Sequence, residues 1–169
     1  EWIVAGILGA LKRFPELRDS QREQRWAYQF TQDLEGSTVL FLGYGSIAKA
    51  TQRRLEPFEV SFIKVARTAR DDVHSFDELL ELLPKADIVI NLLPYTPQTH
   101  GLFSAAHVAA MKQGAVYVNA GRGKTVDQAA LVESIKARHI RLVTDVSDPE
   151  PLPEGHPLWS LPEVFITPH

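Results

Sequence analysis

The chain has no cysteine in its 169 residues, which excludes a disulfide framework and any thiolate metal site and permits a reducing compartment. It has no excess of positive charge. The 18 Lys and Arg against 21 Asp and Glu leave a formal net charge of −3, too little field to hold a phosphate backbone, so nucleic acid is not an expected partner. Long apolar runs are absent too. The stretch Trp2 to Leu11 is too short to span a bilayer and has no basic segment before it, so neither an anchor nor a signal peptide is expected, and a cytoplasmic location without membrane contact is. No pair of histidines is spaced with carboxylates like a metal site, and no metal is expected. Internal repeats and low-complexity tracts are missing as well.

What remains has the size and balance of one globular core, able to bury about 70% of its unfolded surface. From Glu1 to about Leu17, Ile3, Val4, Ile7, Leu8, Leu11 and Phe14 recur at helical spacing until Pro15 disturbs the pattern, which predicts one amphipathic helix. Gln21 to Glu35 reads as an irregular connector whose Trp26, Tyr28 and Phe30 pack back on the body. The chain starts inside a helical pattern and ends directly after the strand-like Val164-Phe165-Ile166, so both ends read as cuts.

After Gly36, short apolar strands alternate with helices. Strands are expected at residues 38–42, 60–65, 87–92, 115–119, 141–146 and 164–166. Helices are expected at 47–55, 104–112 and 127–137, with another opened by a Ser75 to Glu78 capping box and running to Leu83. This alternation predicts an α/β fold of Rossmann type, a doubly wound and mostly parallel sheet with helices on both faces. We divide it into a leading helix and connector at 1–34 and a nucleotide-binding domain at 35–169. Chemistry is expected in the loops beyond the carboxyl ends of the strands.

The first of those loops reads Gly43-Tyr44-Gly45-Ser46-Ile47-Ala48, a G-x-G-x-x-A turn between strand and helix. Gly43 allows the tight turn, Gly45 lets a pyrophosphate approach the backbone, and Ala48 lets helix and strand pack closely. The helix start then offers free N–H groups to the phosphates, so Gly43, Tyr44, Gly45, Ser46 and Ile47 are candidate cofactor residues. At the end of the second strand, where an acidic residue would bind an adenosine ribose, the sequence reads Ala66-Arg67-Thr68-Ala69-Arg70. Arg67 and Arg70 are suited to a 2′-phosphate and Thr68 can donate a hydroxyl, which predicts NADP in preference to NAD.

From Ala86 onward the resemblance becomes specific. ADIVINLLPYTPQTHGLF, MKQGAVYVNAGRGKTVDQAALVESI and DVSDPEPLPEGHPLWSLPEVFITPH resemble successive segments of the D-isomer-specific 2-hydroxyacid dehydrogenases, a family that includes glyoxylate and hydroxypyruvate reductases. The resemblance implies hydride transfer between NAD(P)H and a small 2-keto or 2-hydroxy acid. It places Arg122 on the substrate carboxylate, His169 as the proton donor and acceptor, and Glu150 as the group that orients its ring. It also implies that Leu93, Pro94, Thr99, Ala120 and Asp145 border the cofactor, with Asp145 on the nicotinamide carboxamide. The family pairs its nucleotide domains through the region of the opening helix, which implies a homodimer; an apolar stripe of Ile3, Ile7 and Leu11 would support this if exposed.

Three departures from the family pattern stand out. Glu59 occupies the usual glycine before the second strand, at a cost of about 1 kcal/mol if the left-handed geometry is kept; Ala48 replaces the third glycine; and Tyr95 replaces an aliphatic residue. The family's substrate domain has no counterpart in these residues, so the chain alone is expected to bind cofactor without turnover. A nucleotide-sensing module like the corepressors of the same fold is the alternative, and a methyltransferase-like nucleoside binder leaves Arg122, Glu150 and His169 unexplained.

Overall fold

A computed structural model describes all residues 1–169. Seven parallel strands form one sheet: β1 Thr38–Leu42, β2 Ser61–Ala66, β3 His74–Ser75, β4 Ile88–Asn91, β5 Ala115–Asn119, β6 Ile140–Thr144 and β7 Val164–Ile166, in the order β3-β2-β1-β4-β5-β6-β7. The helices are α1 Trp2–Leu11, α2 Phe14–Arg22, α3 Ser46–Leu55, α4 Leu79–Leu82, α5 Ala105–Ala110 and α6 Gln128–Lys136. After β1 the chain winds outward to β2 and β3, then returns to lay β4 on the other side of β1. The loops after β1 and β4 therefore diverge, which opens a crevice at that edge of the sheet.

Alternate strand residues separate into two cores because successive side chains point to opposite faces. Val39, Phe41, Ile88, Ile90, Val116, Val118 and Val143 pack against α1 and α3 through Ile3, Ile7, Ala10, Ala48 and Leu55. Leu40, Leu42, Val65, Val89, Tyr117 and Leu142 pack against α4, α5 and α6. The Ile3, Ile7 and Leu11 stripe is thus internal. A Cβ on Gly6 would lie 2.5 Å from Val143 Cγ1, so the backbone of α1 rests directly on β6.

Two expectations are corrected. The first helix does not run to Leu17: Arg13 turns left-handed at φ 55°, and Pro15, which lacks a backbone N–H, sits in the first turn of a second helix that continues to Arg22. Glu16 holds that helix against β6 through a bond from Arg141 of 2.7 Å. The connector aromatics do not pack back on the body, since Trp26, Tyr28 and Phe30 are 88%, 92% and 98% exposed. The Ser75 capping box forms as read, but the helix behind it is short, α4 being flanked by 3₁₀ turns at Phe76–Glu78 and Leu83–Lys85. Glu59 does adopt the left-handed conformation, at φ 55° and ψ 42°. No helix is long and apolar enough to cross a membrane.

Candidate functional site

The glycine turn lies where the fold opens. Gly43 has φ +96°, and a Cβ there would come within 3.2 Å of the Leu92 carbonyl, so both conformation and space require glycine. Around Gly45 there is open space, and α3 begins on it without a side-chain cap. The first helical bond runs from Lys49 N to Gly45 O, which leaves the N–H groups of Ser46, Ile47 and Ala48 without protein acceptors. Ile47 is 58% exposed over this end. Free donors, a positive helix end and room for close approach fit a dinucleotide pyrophosphate. The Tyr44 side chain is engaged within the chain: its hydroxyl donates to Gln52 Oε1 at 2.5 Å, and the Lys64 ammonium lies 5.3 Å from its ring centre.

At the end of β2, Arg67, Thr68 and Arg70 are exposed. Neither arginine pairs with a carboxylate; Arg70 reaches only the Thr68 carbonyl, at 3.4 Å, while the neighbouring Asp72 is taken by Lys64. Two uncommitted guanidinium groups thus stand beside the turn.

Leu93 is buried and Pro94 exposed in the loop after β4, and Ala120 is half-buried after β5. The Thr99 hydroxyl donates to Pro94 O at 2.6 Å and accepts from Thr96 N at 2.8 Å, so it ties this loop to itself.

Arg122 follows β5 and His169 follows β7, and in a parallel sheet both therefore emerge at the same edge as the glycine turn. His169 Nδ1 donates to Glu150 Oε1 at 2.7 Å, which leaves Nε2 directed away from the carboxylate. Trp2 steadies this terminus by donating from its indole nitrogen to Thr167 Oγ1 at 2.9 Å. Glu150 lines two adjoining hollows. One of about 490 Å³ also holds Asp145 and His169, and one of about 460 Å³ holds Arg122, Lys124 and Tyr95. Burial raises the Asp145 carboxyl above its usual range, and the Glu150 charge adds to this, while His169, its own backbone and Arg122 act in the opposite sense. These four ionisable groups therefore share one electrostatic neighbourhood. Asp145 Oδ1 is buried without a hydrogen-bond partner in the chain, so its accepting capacity is unused.

Several residues that shape this edge escaped the sequence reading. Gln128 clamps the Asp148 backbone from both sides, accepting from its N–H at 2.9 Å and donating to its carbonyl at 2.7 Å. Asn91, Asn119 and Thr144 end three adjacent strands in register, and their side chains accept from Leu93 N, Gly121 N and Val146 N respectively. The available signal was a polar residue closing each otherwise apolar strand.

An open parallel sheet with a glycine turn and an uncapped helix at its switch point defines a dinucleotide-binding domain. The family model described as "D-isomer specific 2-hydroxyacid dehydrogenase, NAD binding domain" matches residues 4–169, and the chain belongs to that family. It is 34% identical to a glyoxylate reductase of Thermofilum pendens, over 100% of this chain and 54% of that protein. It is 33% identical to glyoxylate/hydroxypyruvate reductase B of Citrobacter koseri, over 99% and 55%. Among solved structures, a probable 2-hydroxyacid dehydrogenase from Rhizobium etli, in complex with NADP, HEPES and L(+)-tartaric acid, is similar at a TM-score of 0.90 and 31% identity, covering 100% of this chain and 56% of that one. The chain spans about half the length of these relatives.

Proposed function

We propose that the protein carrying this chain transfers a hydride between NADP(H) and a small 2-keto or 2-hydroxy acid of the glyoxylate or hydroxypyruvate type. The observation that carries the reading is the 2.7 Å Glu150–His169 pair, at the sheet edge that also bears Arg122 and the open end of α3. The Gly43 to Ile47 turn would hold the pyrophosphate of a nicotinamide cofactor, which when bound would supply or take up the hydride. Arg122 holds the substrate carboxylate with its planar fork and polarises the carbonyl. His169, oriented through Nδ1 by Glu150, gives a proton from Nε2 to the carbonyl oxygen in reduction and takes it back in oxidation. Asp145 Oδ1, unpartnered in the chain, would accept from the carboxamide, and Leu93, Pro94, Thr99 and Ala120 would border the cofactor.

The unpaired Arg67 and Arg70, with Thr68, support NADP over NAD, because a 2′-phosphate gains bidentate partners there. Titration of both cofactors checks this: NADPH is expected to bind more tightly, and Arg67→Ala with Arg70→Ala to abolish the difference. Equal or tighter NADH binding by the unaltered protein would overturn it. Activity is checked in the intact protein by NADPH oxidation with glyoxylate and hydroxypyruvate. His169→Ala is expected to lower turnover by about 10²–10⁴. Cofactor binding without turnover of any 2-keto acid would instead favour the corepressor-like alternative.

The protein also pairs with a second copy of itself, in a cytoplasmic setting. Trp26, Tyr28 and Phe30 alternate along an extended segment and are almost wholly exposed, an apolar face that a second copy would cover. Sedimentation is expected to give a dimer, and replacement of all three by serine a monomer; a monomeric unaltered protein would refute the pairing.

A further inference from the structure

The Arg122 side chain is exposed, yet its backbone is held more firmly than that of an ordinary loop residue. Its carbonyl oxygen accepts from Thr125 Oγ1 at 2.6 Å, from Thr125 N at 3.1 Å and from Asn119 Nδ2 at 3.4 Å. The Arg122 guanidinium, in turn, donates to Gly121 O at 2.6 Å.

The polarity of the strongest of these bonds follows from its other neighbour. Thr125 is fully buried, and its hydroxyl lies 2.8 Å from Asn91 Nδ2, a group that can only donate. The Thr125 proton therefore points at Arg122 O, and the two bonds reinforce each other in a dry interior. The remaining hydrogen-bonding capacity of Asn91 is also engaged. Its second N–H donates to Tyr117 Oη at 2.9 Å, and its Oδ1 accepts from Leu93 N at 3.0 Å. Asn91 and Tyr117 are both fully buried, on β4 and β5.

We propose that Thr125, oriented by Asn91 and Tyr117, is a positioning residue for Arg122: it anchors the peptide from which the guanidinium springs to the centre of the sheet. Through Leu93 N the same Asn91 amide fixes the loop beside the glycine turn, so one buried side chain sets both the cofactor loop and the arginine loop. The inference rests on the reading of Arg122 as the carboxylate-binding group.

The test uses the intact protein saturated with NADPH and the binding of oxalate, an unreactive planar carboxylate that resembles a 2-keto acid. Thr125→Val removes the proton at nearly constant volume and is expected to weaken oxalate by about tenfold while NADPH binding changes by less than about twofold. Thr125→Ser, which restores the proton, is expected to return oxalate affinity to that of the unaltered protein. Thr125→Ala relieves any crowding by the valine methyl and is expected to behave as the valine variant does, so the test survives if valine prevents folding. A residue that served only stability would lower the unfolding temperature in all three variants and leave oxalate affinity unchanged, which would overturn the proposal. Arg122→Met separates the two levels of argument. If it abolishes oxalate binding and Thr125→Val does not weaken it, the positioning role is wrong; if Arg122→Met itself has no effect, the assignment of Arg122 to the carboxylate is wrong.

Discussion

A Cβ on Gly123 would stand 2.1 Å from the carbonyl oxygen of Ser147 and 2.8 Å from Asp148 N, so the loop after β5 and the loop after β6 touch backbone to backbone. The first carries Arg122 and the second leads into Glu150, and glycine is the residue that lets them meet. Gly123→Ala is expected to push the 147–150 segment outward, costing about 1–3 kcal/mol of stability. In the intact protein the same change is expected to lower turnover by about 10² through displacement of Glu150. Denaturant unfolding and steady-state kinetics check the two parts.

Asp145 is expected to make stability depend on pH in an unusual sense. Burial, helped by Glu150, raises its carboxyl above the usual aspartate range, so the folded chain favours the protonated form more than the unfolded chain does. The associated stability is fully present below the unfolded value and is lost as pH rises through the raised folded value. Asp145→Asn is therefore expected to unfold at a higher temperature than the unaltered chain at pH 7, with the gap closing as pH approaches 4. Thermal unfolding at the two pH values decides; a gap that widens in acid contradicts the assignment.

His107 works the other way. Its Nδ1 accepts from Ser104 N at 3.2 Å in the capping box that starts α5, and its ring stacks on Phe103 with centres 5.6 Å apart. Burial lowers its pKa from 6.5, so the cap contributes fully above that value and is lost as pH falls through the lower folded one. His107→Gln keeps an acceptor that does not titrate, and is expected to flatten the fall in unfolding temperature between pH 7 and pH 5. An unchanged slope would show that other groups govern it.

Glu59 holds a left-handed conformation with an exposed side chain that makes no ion pair. Glu59→Gly is expected to stabilise the chain by about 1 kcal/mol, since the steric cost disappears and no contact is lost. Denaturant unfolding with an unchanged slope and a higher midpoint would bear this out.

The sheet was legible because its central strands are short, apolar and buried on both faces, as at Ile88–Asn91 and Ala115–Asn119. The glycine turn was legible because close approach to a backbone leaves few residue choices. The break at Arg13 was not. Helical apolar spacing continues through it, and the left-handed turn is taken by an arginine where glycine would have announced it. The exposure of Trp26, Tyr28 and Phe30 was also hidden, because aromatic content reports a wish for burial and not where the burial takes place. Two-residue β3 is too short to leave a periodic signal. In the candidate site, Arg122, Glu150 and His169 were named through the family motifs, whereas Thr125 and Gln128 were passed over because Asn91 and Asp148, the distant partners that orient them, lie at or beyond the ends of other strands.

The row formed by Asn91, Asn119 and Thr144 has a consequence for how the edge of the sheet tolerates change. Each anchor belongs to a strand, while the loop offers it only a main-chain N–H, a group that nineteen of the twenty amino acids possess in common. The anchoring bond therefore places no demand on the side chains at residues 93 and 146 beyond excluding proline, and it is their burial, at 3% and 5% exposure, that keeps them apolar.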